Sequence, residues 1–175
     1  MQEKSCFFIG HRDTREEVFP LLMAEVERHI TASGVRDFYV GHYGSFDRMA
    51  ARAVIEMKKQ YADIRLTMLL PYHPAIRPIE LPAGFDGSVY PEGQEKIPYK
   101  AAISRANMYI IGRVDHLICY VDHPSNGSRA VIEVAMKRKV HVSILPVGIR
   151  IYKISPGSIG NRGFFKPSLW GKGDR

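Results

Sequence analysis

The sequence predicts an α/β fold, a three-layer sandwich in which a mainly parallel sheet of five or six strands lies between two layers of helices. Two observations support this class. Short apolar runs recur through residues 5–147, and most are separated by stretches with apolar residues at helical spacing. Several of the runs are followed by turns that contain glycine. Strands that alternate with helices are typical of a parallel sheet joined by right-handed crossovers.

The first half of the chain contains three of the predicted strands. Residues 5–9 form a continuous apolar run, which is typical of a strand buried on both faces. A helix is predicted over 14–33, because Thr14 suits an N-cap and Glu17 completes a capping-box spacing. Pro20 either kinks this helix or marks its true start. The next elements are a strand over 35–40, a helix over 46–61 and a strand over 64–70.

The regular pattern is interrupted between residues 71 and 98. Six prolines and three glycines in this stretch exclude long regular elements. So long a connection in a compact domain is usually functional or mobile. We predict a flap over the ends of the strands with at most one short helix, and a packed surface excursion is the alternative.

The second half returns to the alternating pattern. A helix is predicted from Pro98, which suits a first helical turn. The elements after it are a strand over 116–121, a helix that ends with the basic residues 137–139 and a strand over 140–147. Residues 157–175 are rich in Gly, Ser, Lys and Arg, which is typical of a loose tail. We therefore expect one domain over 1–150 and a C-terminal extension over 151–175.

Composition limits the classes of function. The net charge of +7 favours anionic partners, although it does not choose between nucleotides, nucleic acids and solubility alone. The basic residues form no dense block of the kind that makes a nucleic-acid arm, and no apolar run approaches the ~20 residues of a membrane span. Cys6 and Cys119 lie in predicted buried strands, where unpaired core residues in a reducing, cytoplasmic location are expected. Histidine and cysteine show no metal-ligand spacing, so we expect no metal and no cofactor.

Three turns at predicted strand ends have the composition of anion sites. They are residues 10–12, 41–47 and 125–128. Glycine allows a close approach of the backbone, and the first N–H groups of a following helix have no partner within that helix. Because the carboxyl ends of parallel strands meet at one sheet edge, we expect the segments near residues 10, 44 and 127 to converge in one electropositive cleft.

The first two turns also supply side chains. After Gly10, His11 offers an imidazole and Arg12 offers a guanidinium suited to bidentate phosphate recognition. In the second turn, Gly41 and Gly44 would shape the backbone. There, Ser45 either bonds a phosphate oxygen or caps the helix. Asp47 has three possible roles: it accepts hydrogen bonds from ribose hydroxyls, caps the helix or holds the turn closed.

The third turn consists of the small residues Ser125, Asn126, Gly127 and Ser128. One flexible glycine and a hydroxyl at a helix start are typical of a phosphate-cradling turn. The alternative is an ordinary turn in which Ser128 is the N-cap. Asp122, shortly before it, suits a pair of ribose hydroxyls.

The turns belong to a longer series of motifs at residues 6–12, 41–51 and 69–72, at Asn107 and Asp115, and at residues 126–128 with Ala135. This series resembles the SLOG superfamily, and within it the stand-alone DUF1273/YpsA-like branch. The usual family forms are a GHR after the first strand, a G-G-A-x-G-F-D-x-x-A-A turn, an Arg-Asn pair before the fourth strand and a G-G-T turn after it. The order and spacing match over residues 5–147.

The resemblance implies a Rossmann-like sheet that binds nucleotides or their derivatives. Members of the superfamily include the DNA-uptake protein DprA, the cytokinin-activating LOG phosphoribohydrolases and ligand-sensing domains in phage defence. Dimers and tetramers are common among them, which makes self-association of this chain a hypothesis. The sequence departs from the pattern at His42, which replaces a glycine, at Arg105, which is shifted by one position, and at Glu133, which follows Ser128 too late for the LOG signature.

Three functional hypotheses follow. The first is a binding domain for a nucleotide-like small molecule, in which Arg105 or Asn107 reaches the ligand from the helix predicted after Pro98. The second is a LOG-type hydrolase of the N-glycosidic bond of a nucleoside monophosphate, in which Glu133 is the catalytic carboxylate and Arg105 or Arg12 clamps the phosphate. The third is DprA-like DNA binding, which we rank last because the basic residues are scattered.

Overall fold

The computed structural model describes residues 3–121 and 126–146, and within them the chain forms six strands and four α-helices. The strands are β1 (Lys4–Gly10), β2 (Val35–Val40), β3 (Arg65–Leu69), β4 (Gly87–Val89), β5 (His116–Tyr120) and β6 (His141–Ile144). The helices are α1 (Phe19–Thr31), α2 (Ser45–Met57), α3 (Ala102–Ile111) and α4 (Asn126–Lys137). Asp122, Ser125 and the predicted extension over 151–175 lie outside the described residues.

The six strands form one sheet in the order β4-β3-β2-β1-β5-β6. Every neighbouring pair is parallel, so the carboxyl ends of all six strands lie at the same edge. From β1 the chain adds β2, β3 and β4 on one side, and then returns to place β5 and β6 on the other side. The strand order therefore reverses between β1 and β5, which is where ligands bind in open α/β sheets.

The sheet is covered on both faces, as the alternating side chains of β1 show. Phe8 packs with α1 and α2 in one apolar cluster, whereas Phe7 packs with α3 and α4 in the other. Both phenylalanines are almost fully buried. The predicted three-layer sandwich with a parallel sheet is confirmed.

The first helix begins later than the sequence suggested. Residues Glu16–Val18 form a single 3-10 turn and α1 starts at Phe19, so Pro20 lies in its first turn. Thr14 does not cap the helix, because its buried hydroxyl donates to the carbonyl oxygen of His11 at 2.8 Å. The capping-box interpretation was therefore wrong, and the threonine closes the turn after β1 instead.

The predicted flap over 71–98 contains a strand. Residues Gly87–Val89 form β4, which pairs with β3 in the register Thr67↔Gly87, Met68↔Ser88 and Leu69↔Val89. A second 3-10 turn covers Gln94–Lys96 and a third, Tyr99–Ala101, leads into α3. A three-residue strand has too few residues to show a period, and its existence depends on the neighbouring edge strand.

Most other bounds differ from the expectations by a few residues. The helix expected over 46–61 is α2, and the strand expected over 140–147 is β6. None of the helices within the described residues has the length and apolar character that a membrane span requires.

Candidate functional site

A cavity of about 530 Å³ lies at the carboxyl edge of the sheet. Its floor is formed by the ends of β1 and β3, and its walls by the turns after β1 and β2, by α3 and by Val131 of α4. From the predicted site it includes Gly10, His11, Arg12, Gly41, Gly44, Asp47 and Asn107. This position coincides with the reversal of strand order, so fold and cavity indicate the same location.

The turns after β1 and β2 are joined directly to each other. The Ser45 N–H donates to the carbonyl oxygen of Arg12 and the Ser45 hydroxyl donates to that of Thr14, both at 2.9 Å. A Cβ atom on Gly44 would lie 3.0 Å from the Arg12 Cα atom, so the two backbones are in close contact. Because the hydroxyl proton of Ser45 is used within the protein, the expectation that it bonds a phosphate is not supported. Ser45 instead joins the two turns.

Asp47 closes the second turn from within. Its carboxylate oxygen Oδ2 accepts the N–H of Tyr43 at 3.0 Å, and the N–H of Gly44 also hydrogen-bonds to this side chain. A side chain at the third helical position that reaches back to the N-cap is one half of a capping box. Of the roles considered for Asp47, closing the turn is the one that these contacts show.

The same contacts change the expected electrostatics of the turn. Two of the N–H groups that were expected to hold a ligand phosphate already face the Asp47 carboxylate. Burial raises the pKa of Asp47 to about 6, and these amide N–H groups oppose the increase by favouring the charged form. An anionic ligand in this cavity therefore needs hydrogen-bond donors other than the N–H groups of Tyr43 and Gly44.

Four ionisable side chains other than His11 and Tyr43 line the cavity among the described residues. Arg12 and Lys100 are cationic, whereas Asp13 and Asp47 are carboxylic acids. The formal charge of these four side chains is balanced, so they do not by themselves form the electropositive cleft that the sequence suggested. Since Asp47 is occupied by backbone donors, Arg12 and Lys100 are the side chains best suited to an incoming anion.

Helix α3 presents two different faces. Ile103, Ser104 and Asn107 line the cavity, together with Lys100 from the preceding turn. Arg105 lines a second groove with Tyr109, Arg113 and Arg138. Residues two apart on a helix differ by about 200° in direction, so Arg105 and Asn107 cannot reach the same space. Of the two alternatives that the sequence left open, Asn107 lines the cavity and Arg105 lines the second groove.

Helix α4 excludes Glu133 from the cavity for the same reason. Val131 is buried and lines the cavity, whereas Glu133, two residues further, is exposed and is not among the lining residues. The helix begins at Asn126, so Gly127 and Ser128 are helical residues and Ser128 is not the N-cap. The structure describes side chains in α4 from Ala130 onward, which leaves the contacts of the third predicted turn untested.

Two histidines near the cavity have structural contacts. His11 is buried and meets the Tyr120 ring edge-on, with the ring centroids 6.4 Å apart. His42 hydrogen-bonds to the backbone of Leu69, and burial lowers its pKa. This contact joins the turn after β2 to the end of β3. It gives His42 a structural role at the position where the SLOG pattern, which the sequence resembles, has glycine.

The aromatic residues beside the cavity were not among the predicted site residues. Tyr43 lines the cavity, and its ring meets that of Tyr72, which in turn stacks on Tyr99. Two of these three tyrosines come from or follow the irregular 71–98 segment, where no periodicity guided interpretation. The only available signal was that each flanks a predicted turn or a proline.

No cluster of His, Cys, Asp and Glu suited to a metal ion occurs within residues 3–121 and 126–146. The side chains that line the cavity carry a guanidinium, an ammonium, two carboxyl groups, an imidazole, an amide and two hydroxyl groups, a set suited to binding an anionic polar molecule.

Comparison with known proteins supports the fold assignment. No protein-family model and no curated protein sequence matches the chain. Among solved structures it is similar to DNA processing protein A (DprA) from Streptococcus pneumoniae, with a TM-score of 0.61, 17% identity and coverage of 85% of this chain and 52% of that one. It is also similar to DprA from Helicobacter pylori, with a TM-score of 0.57, 15% identity and coverage of 84% and 67%.

A further similar structure is the molybdenum cofactor carrier protein from Chlamydomonas reinhardtii, with a TM-score of 0.52, 15% identity and coverage of 82% of this chain and 76% of that one. The chain spans about half the length of the pneumococcal DprA. At such low identities the likeness concerns the fold. The chain thus has a Rossmann-like α/β fold of the kind found in DprA.

Proposed function

We propose that the cavity binds a nucleotide-like small molecule that carries a phosphate group. The observation that carries the proposal is the direct joining of the β1 and β2 turns around one cavity, at the point where the strand order reverses. Ligands of open α/β sheets bind at this position. A volume of about 530 Å³ falls within the usual range for small-molecule sites.

The charged and polar groups assign parts of the ligand. Arg12 and Lys100 would meet the phosphate, since the N–H groups at Tyr43 and Gly44 are already occupied by Asp47. Ser104 and Asn107 lie on the same face of α3 as each other and can exchange hydrogen bonds with sugar hydroxyls. Gly10 and Gly41 allow close packing within the protein, because a Cβ atom would meet Phe46 at the first position and Asp47 at the second.

The structural neighbours favour this class of ligand without identifying one. The H. pylori DprA has a single-stranded DNA binding mode, and the Chlamydomonas protein carries the molybdenum cofactor. DNA is itself a polymer of phosphate-linked nucleotides. Membership of the DUF1273/YpsA-like branch, a cytoplasmic location and self-association remain proposals that rest on the motifs, the composition and the resemblance.

Titration calorimetry with AMP, GMP, CMP, UMP and ADP-ribose tests the proposal. Arg12→Ala and Lys100→Ala should each weaken binding about tenfold, because each removes a charge-assisted contact to phosphate. Arg15→Ala and Lys96→Ala are matched controls, since both residues are exposed and neither lines the cavity. If the folded wild-type protein binds none of the five compounds at millimolar concentration, the proposal is wrong.

A second candidate is binding of single-stranded DNA, which the DprA likeness and the net charge of +7 favour. Such binding depends steeply on salt, because each neutralised phosphate releases a counterion. Affinity for a fluorescent dT oligomer between 50 and 200 mM salt would then fall severalfold or more. An oligomer affinity that does not change with salt would exclude this candidate.

The structure gives the hydrolase hypothesis no geometric support. Neither Glu133 nor Arg105 lines the cavity, so the proposed carboxylate and one proposed phosphate clamp lie elsewhere. An acid or nucleophile must lie within hydrogen-bonding reach of the reacting atoms. The proposal is accordingly for binding and not for N-glycosidic cleavage.

A further inference from the structure

We propose that the base of the ligand stacks on an aromatic wall at the mouth of the cavity, so that the occupant is a mononucleotide with an aromatic base and not a sugar phosphate alone. The aromatic wall consists of Tyr43, Tyr72 and Tyr99, with Arg77 beside them. This inference rests on the proposed function and deepens it by naming the part of the ligand that lies outside the phosphate site.

The aromatic wall is continuous with the cavity. Tyr43 lines the cavity itself, and Pro71 and Lys100 line it immediately next to Tyr72 and Tyr99 in the chain. A ligand that reaches out from the cavity on this side therefore meets tyrosine rings.

The three rings hold each other in position. Tyr72 and Tyr99 stack with their centroids 4.4 Å apart and their planes 18° from parallel. Tyr43 meets Tyr72 edge-on, with the centroids 5.8 Å apart and the planes at 86°. Both arrangements are favourable geometries for aromatic pairs.

Arg77 fixes the outer end of the wall. Its guanidinium donates to the Tyr99 hydroxyl oxygen at 2.7 Å and lies 5.3 Å from the centre of the Tyr72 ring. Tyr99 nevertheless leaves 61% of its surface exposed. The exposed ring is thus held in place before any ligand arrives, which reduces the entropy lost when a flat molecule stacks on it.

The chemistry of this mouth matches a nucleotide. Bases of every kind present a π face, and stacking on an aromatic side chain tolerates differences between them. Lys100 follows Tyr99 in the chain and lines the cavity, so one short turn brings a cation that suits a phosphate to the cavity and carries a ring that suits a base. A sugar phosphate would use the cation and leave the ring without a partner.

The test compares AMP, GMP, CMP and UMP with ribose 5-phosphate by calorimetry on the full chain. We expect ribose 5-phosphate to bind at least tenfold more weakly than the best nucleotide. Tyr99→Ala should weaken nucleotide binding about 5- to 150-fold, the range seen when a stacking ring is removed, and should leave ribose 5-phosphate unchanged. Tyr99→Phe, which keeps the ring, should stay within about threefold of wild type.

Tyr109→Ala is the matched control, because Tyr109 packs against Arg113 in the second groove and does not line the cavity. Equal affinities for ribose 5-phosphate and the nucleotides would overturn this inference and leave the proposed function intact. An equal loss for both ligand types in Tyr99→Ala would also overturn it. If a dT oligomer binds while no mononucleotide does, the aromatic wall binds single-stranded DNA, and the inference of a mononucleotide ligand is overturned. Failure of all these compounds to bind would overturn both proposals.

Discussion

The closest packing at the candidate site is at Gly10, and it gives a sharp test of how the cavity is built. A Cβ atom at this position would lie 2.2 Å from Cγ, 2.4 Å from Cδ1 and 2.8 Å from Cβ of Phe46. Phe46 is fully buried at the start of α2, and the atoms that would clash include the root of its side chain. In Gly10→Ala, the end of β1 and the start of α2 must therefore move apart.

The required displacement sets the size of the effect. Carbon atoms pack at about 3.5 to 4.0 Å, so the alanine methyl needs more than about 1 Å of additional space. Overpacking a core usually costs about 1 to 3 kcal/mol, and we expect about 3 kcal/mol because a buried ring with little freedom blocks the site. For a chain of this length that corresponds to a decrease in melting temperature of roughly 6 to 12 °C.

Urea unfolding and calorimetry measure this change, and Gly87→Ala is its control. A Cβ atom at Gly87 would meet nothing within 4 Å, so alanine there should leave the free energy of unfolding unchanged or slightly increased. If Gly10→Ala unfolds within about 0.5 kcal/mol of Gly87→Ala, the close contact between the β1 end and α2 does not exist as described.

Two further predictions concern pH. In Asp47→Asn, the amide oxygen keeps an acceptor for the Tyr43 N–H, but the carboxyl group whose pKa burial raises to about 6 is removed. A carboxyl group whose pKa is raised on folding stabilises the fold at low pH, and this contribution is lost as the pH rises through 6. Between pH 4.5 and 7.5 the free energy of unfolding, measured with urea, should therefore fall by about 1 to 2 kcal/mol more in the wild type than in Asp47→Asn. Parallel pH profiles of the two proteins would contradict the burial of this charge. Burial and the adjacent His29 and His141 lower the pKa of His116 to about 4, so from pH 7.5 to 5 the wild type should lose about 2 kcal/mol more than His116→Phe, because His116 in the unfolded chain takes up a proton. His116→Phe keeps a ring in this place and should remove that loss, whereas an unchanged acid slope in thermal melts would count against it.

The alternating architecture could be predicted because its signals are local. Residues 5–9 and 116–120 are continuous apolar runs, and buried parallel strands need such runs. β4 could not be predicted, because three residues that include a glycine become a strand only where the edge of β3 offers hydrogen bonds. The start of α1 was misplaced because Thr14 bonds to His11 across a turn and not to the helix.

At the candidate site, positions could be predicted better than roles. Gly10, Gly41 and Gly44 follow strands whose ends meet by topology, and all three line the cavity. The partners of Ser45 and Asp47 depend on contacts that form only after the turns meet, so their structural roles were left open.

Arg105 and Glu133 lie away from the cavity for the same reason. Each lies two positions from a residue that faces the cavity, Asn107 in one case and Val131 in the other. Helical geometry places such pairs about 200° apart, and both residues were already departures from the family pattern. The aromatic wall depends on how residues 71–98 fold back over the sheet edge, for which the sequence has no periodic signal.

Mapping AMP binding on the amide NMR spectrum of the full chain tests the central claim most directly. We expect the shifted signals to belong to residues 10–13, 41, 43, 44, 104, 106 and 107, which line the cavity at the carboxyl edge of the sheet. Shifts confined to the second groove, at Arg113 and Arg138, or no shifts at millimolar AMP, would contradict it.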